Sequence, residues 1–283
     1  MPLYQVVVLA VVQGLTEFLP ISSTAHLVLF PWLFGWPDPG LTFDIALHLG
    51  TLAAVAIYFF RTWLRVLGLA FGIGSRPSDP NDPDADLHDN PRLFWFLVAA
   101  TIPAGLAGLA FEEQVETTLR SPYVIAVMMI GVGLVLWWAE RAGRQEKDLS
   151  RMSLADSLAV GFSQALAIVP GTSRSGITIA AALFRGVRRA AAARFSFLLS
   201  TPILAGAVAK AGLNLAQGGL APEMRLPFAA GILISGITGY LAIAFFLRYL
   251  QTSTLKIFIW YRIICGIMIL ALAIFFRDPA RVL

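Results

Sequence analysis

The sequence predicts an all-α protein that crosses a membrane several times and consists of two inverted-topology repeats. Three observations lead to this prediction: the composition, a set of long apolar runs, and two apolar segments that are interrupted near their middle. Of the 283 residues, 58% are apolar and 13% are charged, whereas about a quarter of the residues in a soluble domain are charged. Apolar runs of the roughly 20 residues that cross a bilayer lie at about 43–60, 93–111, 122–139, 195–215, 226–247 and 256–276.

The two interrupted segments share one pattern. Residues 3–19 are largely apolar up to Pro20, after which hydroxyl residues and a histidine precede a second apolar stretch. Residues 154–169 run in the same way into Pro170, and a Thr-Ser-Arg-Ser run follows. Each half is too short to cross a bilayer, and irregular backbone at membrane depth is tolerated only where it is buried in protein or lines a wet cavity. We therefore expect two re-entrant helix–loop–helix hairpins, residues 3–34 and 154–185, with their loops near the midplane.

The distribution of basic residues tests this topology. If each hairpin returns to the side from which it started and the six runs cross, fourteen Lys and Arg residues lie on one face and four on the other. Cytoplasmic loops carry the excess of basic residues, so the first face is predicted to be cytoplasmic. If the hairpins crossed fully, the four arginines within residues 185–194 would move to the opposite face. The charges therefore favour the re-entrant arrangement.

In this arrangement the hairpins start from opposite sides, so residues 1–140 and 150–283 form two inverted repeats of one hairpin and three spans each. The segments that end at Pro20 and Pro170 align in register. Transporters place substrate sites at the midplane between such repeats, so a lipid-phosphate transporter or flippase is one function that the architecture allows. Nucleic-acid binding is not indicated, because the basic residues behind the net charge of +4 are spread over short loops.

The first loop carries groups suited to catalysis or metal binding. Gln13 and Glu17 are four residues apart and share one helix face just before the break. A carboxylate at membrane depth is expensive and indicates a site for a metal, a proton or a cationic partner; a structural polar contact between helices is the alternative. After the break, Ser22, Ser23 and Thr24 stand where a helix begins, and there hydroxyls cap the helix and free N–H groups bind anions.

A histidine follows these hydroxyl residues. His26 lies three residues after Ser23 and shares its face if the helix begins near Ser23. A hydroxyl and an imidazole placed in this way can act as nucleophile and base. The alternative is a histidine with a purely structural role.

The second loop supplies positive charge. The residues around Arg174 are Gly171, Thr172, Ser173, Ser175 and Gly176. Glycines allow close approach of the backbone to a ligand, and a guanidinium matches two phosphate oxygens at once. An ion pair between Arg174 and Glu17 that only locks the hairpins together is the structural alternative.

The run from Gln13 to His26 (QGLTEFLPISSTAH) and the run from Pro170 to Gly176 (PGTSRSG) together resemble the BacA-type undecaprenyl-diphosphate phosphatase family of bacteria. The resemblance extends through the whole chain, including residues 42–44, 195–199 and 261–262. It implies an enzyme of the bacterial inner membrane that hydrolyses undecaprenyl diphosphate to undecaprenyl phosphate. This reaction recycles the lipid carrier for cell-wall synthesis and confers bacitracin resistance. The resemblance also implies a divalent cation, Mg²⁺ or Ca²⁺.

Carried over by position, the resemblance implies catalytic roles for Glu17, Ser23, His26 and Arg174. The residues that it implies for phosphate binding are Ser22, Thr24, Gly171, Thr172, Ser173, Ser175 and Gly176. Glu17 and Gln13 would serve the metal site. Many family members have glutamate where this chain has Gln13, so direct coordination by the protein is reduced here and the cation is expected mainly on the diphosphate.

Ser23 is then expected to attack the terminal phosphorus, with His26 as its base; direct attack by His26 is the alternative that the sequence leaves open. Glu17 would orient His26 or help to hold the cation. The expected partners are the polyprenyl diphosphate and membrane lipids, and the site is expected to face the periplasm. The sequence leaves the oligomeric state open, a homodimer included.

Overall fold

The computed structural model describes residues 1–73, 90–111, 119 and 121–275. Within these ranges the chain is α-helical and has no β-sheet. The helices are α1 (Leu3–Phe18), α2 (Ser23–Phe34), α3 (Leu41–Tyr58), α4 (Phe60–Ala70), α5 (Leu93–Ala110), α6 (Pro122–Ala142), α7 (Leu154–Ala165), α8 (Arg174–Phe184), α9 (Arg189–Gly218), α10 (Arg225–Thr252) and α11 (Lys256–Phe275). Short 3₁₀ turns occupy Leu149–Arg151, Leu166–Ile168 and Pro222–Met224.

Five of these helices, α5, α6, α9, α10 and α11, are long and apolar enough to cross a membrane. The pair α3 and α4, bent by 65° at a short break, passes the same test together and brings the number in the described ranges to six. The prediction of an all-α membrane protein is thereby confirmed. Helix α9 begins at Arg189, before the apolar run predicted from 195, because residues 190–193 are alanines, which are the strongest helix formers.

The second interrupted segment, α7 and α8, returns to the end from which it starts. Ser153 and Asp156 form a capping box at the first turn of α7. Arg185, directly after α8, donates from Nε to Asp156 Oδ1 at 2.7 Å. The backbone on either side also pairs, since the Arg188 N–H donates to the Lys147 carbonyl at 2.8 Å. The segment is therefore a helix–loop–helix hairpin, and its re-entry into the membrane stays a prediction.

The first interrupted segment, α1 and α2, has the same shape. Tyr4 in the first turn of α1 and Trp36 just after α2 make an edge-to-face contact, with ring centroids 5.8 Å apart. The chain therefore comes back to its starting end here too. The inversion of one half relative to the other, and the division at residues 140 and 150, stay predictions.

The tips of the two hairpins share an unusual backbone conformation. Ser22 and Ser173 have positive φ angles of 75° and 67°, a region that residues other than glycine seldom adopt. Each serine caps the helix that follows: Ser22 Oγ accepts from the Ala25 N–H and Ser173 Oγ accepts from the Gly176 N–H. Ser22 is thus structurally equivalent to Ser173. This pairing is shifted by one residue from the sequence alignment that pairs Pro20 with Pro170.

The long helices hold the hairpins in place. Helix α1 packs against α10 and α3, α8 packs against α6 and α9, and α7 packs against α5. Buried apolar side chains fill these contacts, while many large apolar side chains of the spans are exposed, among them Ile57, Leu109 and Leu233. An exposed apolar surface of this extent is what a lipid environment covers.

Candidate active site

A polar cavity of about 250 Å³ lies where the two hairpin loops meet. The polar residues on its wall are Glu17, Ser22, Ser23, Thr24, His48, Gln164, Ser173 and Arg174. The loops are also joined directly, because Ser175 Oγ donates to the Leu19 carbonyl at 3.0 Å. The structure therefore brings the two sequence motifs together at one site.

Glu17 is the centre of the polar contacts in this cavity. Arg174 donates from Nη2 to Glu17 Oε1 at 2.7 Å, and Ser23 Oγ donates to Glu17 Oε2 at 2.6 Å. Gln13 Nε2 donates to the same Oε2 at 3.0 Å, and His48 Nε2 lies 3.5 Å from it. A buried carboxylate with an ion-pair partner and several donors is held as an anion.

Arg174 combines two roles that the sequence posed as alternatives. Its guanidinium forms the ion pair with Glu17 and also donates from Nη1 to the Ser196 carbonyl at 3.4 Å. It lies on the cavity wall, so it faces the space where a ligand would bind. Since a guanidinium carries five N–H donors, these two bonds leave donors for an anion in the cavity.

Two helix N-termini meet at the cavity. Helix α2 begins at Ser23 and α8 begins at Arg174, and both residues line the wall. The first N–H groups of a helix have no partner within the helix, and the helix dipole makes this end positive. The cavity therefore provides serine hydroxyls, an arginine and two electropositive helix ends, the set of groups that binds phosphate.

His26 is not the partner of Ser23, in contrast to the sequence-based expectation. Its Nδ1–H donates to the Ser22 carbonyl at 2.6 Å, and its Nε2 accepts from the Tyr261 hydroxyl at 2.6 Å. The His26 and Tyr261 rings are nearly parallel, with an interplanar angle of 13°. Although α2 begins at Ser23 as predicted, the Ser23 hydroxyl turns toward Glu17 because Ser22, with its positive φ, redirects the chain at the break. The group that accepts the hydrogen bond of the Ser23 hydroxyl is Glu17.

Of the seven residues predicted to bind phosphate, four line the cavity and three lie behind its wall. Ser22, Thr24, Gly171 and Ser173 do line the cavity. The Ser175 hydroxyl is turned to the first loop, the Gly176 N–H caps onto Ser173 Oγ, and Thr172 is fully buried. The last three residues shape the loop, and direct phosphate contact by them is not what this geometry supports.

Gly171 is required by the backbone. Its φ is +92°, and a Cβ at this position would lie 2.6 Å from the Ile125 carbonyl oxygen of α6. Any side chain would therefore combine an unfavourable φ with a collision against backbone. This close approach lets the second loop reach the cavity while it rests on α6.

A buried arginine of the last helix fastens both loops. Arg262 of α11 is fully buried and donates to the Pro20 carbonyl of the first loop at 3.2 Å. It also donates to the carbonyls of Gly171 and Thr172 in the second loop at 2.9 and 3.0 Å. Met128 and Met129 of α6 supply two further carbonyls. The relative position of the two loops therefore depends on one guanidinium.

Comparison with known families decides which group of proteins shares this arrangement. The model of a family described as "Bacitracin resistance protein BacA" matches residues 6–268. The chain belongs to the BacA family.

Curated relatives of this BacA-family chain extend over nearly its whole length. It is 49% identical over 271 residues to the undecaprenyl-diphosphatase of Moorella thermoacetica and 50% identical over 271 residues to that of Desulforudis audaxviator, with 96% of this chain and 98% of each relative covered. It is 45% identical over 284 residues to the undecaprenyl-diphosphatase of Thermomicrobium roseum, which covers 98% of this chain and all of the relative. These names are those of a phosphatase, and they give no support to the transporter alternative.

Two residues of this BacA-family site, His48 and Gln164, escaped the sequence analysis, while Tyr261 and Arg262 entered it only through the family resemblance and without a role. A polar or charged residue within an apolar helix is a functional signal in membrane proteins, and it would have found His48 and Arg262. Tyr261 carries no such signal, because its role depends on a contact with His26 that joins α11 to α2. Gln164 would have been found by aligning the two hairpins at their capping serines, Ser22 and Ser173, because this alignment pairs Gln164 with Gln13.

The metal donors in this BacA-family site are few. Among the described residues no group of three or more His, Cys, Asp or Glu side chains could hold a metal ion. Glu17 offers its carboxylate, and Gln13 Oε1 is a buried oxygen without a hydrogen-bond partner. A magnesium ion is commonly held by one or two carboxylates together with substrate phosphates and water. Glu17 lines the cavity, whereas Gln13 is fully buried and is not on its wall; the carboxylate, with the Gln13 amide next to it, fits a cation that arrives with a diphosphate.

Proposed function

We propose that this protein is an integral membrane undecaprenyl-diphosphatase that converts undecaprenyl diphosphate and water to undecaprenyl phosphate and phosphate. The observation that carries the proposal is the cluster of Ser23, Glu17 and Arg174 on one cavity wall, in which the base Glu17 is hydrogen-bonded both to the nucleophile and to the anion-binding arginine. The names of the relatives support the same reaction. The family description names bacitracin resistance, and we propose that this protein confers it through the same reaction.

The first chemical step uses Ser23 as the nucleophile. Its Oγ attacks the terminal phosphorus while its proton passes to Glu17 Oε2, the atom to which this hydroxyl already donates. The new bond is Oγ–P, and the bond that breaks joins the terminal phosphorus to the bridging oxygen. The lipid monophosphate leaves as an anion and needs no proton. A nucleophile with its base in hydrogen-bond reach is the arrangement that covalent catalysis requires.

The second step releases phosphate. Water attacks the phosphoserine and both of its protons leave on the released phosphate, H₂PO₄⁻, while the Oγ–P bond breaks and Ser23 Oγ recovers its proton from Glu17. His26 and Tyr261 support this step as positioning residues, since His26 anchors the Ser22 carbonyl next to the nucleophile and Tyr261 in turn holds His26. Glu17 thus ends the cycle as a carboxylate.

Charge neutralisation comes from Arg174 and the two helix ends. Phosphoryl transfer needs little covalent chemistry from a protein beyond positioning and stabilisation of the oxygens that carry negative charge. Arg174, the N-termini of α2 and α8 and the hydroxyls of Ser22 and Ser173 supply these interactions. A divalent cation would be held by Glu17, Gln13 and the diphosphate itself, and it would neutralise further charge on the phosphates.

An apolar groove next to the cavity is suited to the polyprenyl chain. It has a volume of about 720 Å³ and lies between α4, α5 and α9, with Trp63, Phe94 and Leu106 among its lining residues. Gly105 and Ala205 line the groove, and their chain neighbours Ala104 and Leu204 line the polar cavity. An amphiphile can therefore place its headgroup in the cavity and its tail in the groove.

The orientation that follows from the charges puts the first hairpin on the outer side. One face of the predicted topology carries fourteen basic residues and the other carries four, so the first is taken as cytoplasmic. Of these eighteen residues, four lie outside the described ranges: Arg76, Arg120, Arg277 and Arg281. The site then opens to the periplasmic side of the bacterial inner membrane.

Phosphate release by purified protein tests the proposal. Wild-type protein in detergent with Mg²⁺ should release one phosphate per polyprenyl diphosphate and leave polyprenyl monophosphate, while Ser23→Ala should release none above background. Saturable binding of the diphosphate without release of phosphate would contradict the proposed function and would favour a transporter instead.

A further inference from the structure

One side chain on the cavity wall is fully buried and has nothing to bind. Gln164 in the last turn of α7 is 1% exposed and lines the same cavity as Glu17 and Arg174. Neither its Oε1 nor its Nε2 has a hydrogen-bond partner among the described residues. Because both atoms are unpaired, the conclusion is the same whichever way the amide is turned.

The equivalent residue in the other hairpin shows what is missing. With Ser22 and Ser173 as equivalent caps, Gln13 of α1 corresponds to Gln164 of α7 and Glu17 corresponds to Ile168. Gln13 Nε2 donates to Glu17 Oε2 at 3.0 Å, whereas Ile168 offers no acceptor to Gln164. The second hairpin therefore keeps the amide and lacks the internal partner.

An unpaired amide in such a place has a cost that a ligand can remove. A buried donor or acceptor without a partner loses its hydration and gains nothing in return. Leucine would fill a similar volume without this penalty. Since Gln164 faces the cavity that holds the proposed nucleophile, the partner to expect is a substrate group that accepts a hydrogen bond.

The position of Gln164 selects one part of the substrate. Helix α7 runs directly along α5, because a Cβ on Gly161 would lie 2.4 Å from the Ala100 carbonyl oxygen. Gln164 is one turn further along α7, beside the stretch of α5 where Ala104 lines the cavity and Gly105 lines the apolar groove. Gln164 thus shares the cavity wall with Ala104, whose chain neighbour Gly105 lines the groove, and this is the side of the cavity from which a lipid-bound phosphate would enter.

We propose that Gln164 binds the phosphate that stays on the lipid, with its Nε2–H donating to an oxygen of that phosphate. This inference rests on the proposed function. It divides the diphosphate site in two: Ser23, Arg174 and the helix ends act on the terminal phosphate, and Gln164 recognises the phosphate next to the polyprenyl chain.

One Michaelis constant and two inhibition constants test the assignment on the full-length protein in detergent. Gln164→Leu should raise KM for polyprenyl diphosphate and Ki for polyprenyl monophosphate by roughly tenfold or more, the usual value of a hydrogen bond to a charged group. Ki for inorganic phosphate should change less than twofold, because that ligand occupies the terminal site. Gln164→Met, which keeps an unbranched chain, should behave in the same way. The melting temperature of both variants should equal or exceed that of wild type.

Gln5 gives a matched control. It is a buried glutamine of α1 with an unpaired Oε1, but it does not line the cavity, so Gln5→Leu should leave all three constants unchanged. The proposal would be overturned if the three constants are unchanged in the Gln164 variants, or if Ki for inorganic phosphate rises as much as Ki for polyprenyl monophosphate.

Binding of polyprenyl monophosphate, followed as a rise in melting temperature, needs no turnover. If wild type releases no phosphate, the proposed function fails. A ligand-induced shift that is lost in Gln164→Leu but kept in Gln5→Leu would still support the headgroup contact, and equal shifts in both variants would overturn it.

Discussion

The Ser23 hydroxyl donates to Glu17 Oε2 at 2.6 Å across the break between α1 and α2. The two residues belong to the two arms of one hairpin, so the loop itself brings nucleophile and base together. Arg174 of the other hairpin holds the second oxygen of the same carboxylate. One carboxylate therefore links the nucleophile of the first hairpin to the anion-binding group of the second.

Arg174 should not be replaceable by lysine. A guanidinium can bind Glu17, the Ser196 carbonyl and a phosphate oxygen at the same time, whereas an ammonium is a point charge. We expect Arg174→Lys and Arg174→Ala each to lower kcat/KM by about 10²-fold or more. The matched control is Arg188→Lys, at an exposed arginine that pairs with Asp148, which should stay close to wild type. Turnover like that of wild type in Arg174→Lys would remove the proposed role.

Gln13 should set the requirement for the divalent cation. Gln13→Glu places a second carboxylate beside Glu17, because the amide nitrogen that it replaces lies 3.0 Å from Glu17 Oε2. Two buried carboxylates at this distance repel each other unless a cation lies between them. We expect the variant to reach half-maximal activity at a lower Mg²⁺ concentration and to show a melting temperature that rises with Mg²⁺ more steeply than in wild type. An unchanged Mg²⁺ dependence would mean that the substrate and Glu17 hold the ion without residue 13.

Gly171 should tolerate no side chain. Gly171→Ala meets an unfavourable φ of +92° and a backbone oxygen 2.6 Å from the new Cβ, so we expect a loss of about 2 kcal/mol or more in stability together with most of the activity. Gly131→Ala in α6 is the control, because nothing lies within 4 Å of a Cβ there. Melting temperatures in detergent should fall for the first variant and stay level or rise for the second. A stable and active Gly171→Ala protein would contradict this account of the loop.

The sequence predicts the hairpins well because their signals are local. A proline, a capping serine and a change from apolar to polar residues mark each break, and the helices end and restart there in the structure. The contact between Ser23 and Glu17 could not be predicted from helical periodicity, since it depends on the positive φ of Ser22 inside the loop. The contacts of His26 with Tyr261 and of Arg262 with both loops join parts of the chain far apart in sequence. No local pattern in the sequence encodes those contacts.

Thiol labelling should establish the orientation in the membrane. After Cys265→Ser, a single cysteine at Asp38 should react with an impermeant reagent applied outside intact cells, since the loop after α2 is predicted to face outward. Cysteines at Arg144 and Arg188 should react only after permeabilisation, because the basic loops are predicted to be cytoplasmic. Labelling of Arg188→Cys from outside would refute the inverted-repeat arrangement.

The most direct test of the central claim is the identity of the phosphorylated residue. Polyprenyl diphosphate labelled with ³²P in its terminal phosphate, mixed with enzyme and quenched in acid within the first turnover, should leave an acid-stable label on the peptide that contains Ser23. The same experiment with Ser23→Ala should give no label, and Glu17→Gln should form the labelled species much more slowly. An acid-labile label on His26, or full turnover in Ser23→Ala, would contradict the assignment of Ser23 as nucleophile and Glu17 as its base.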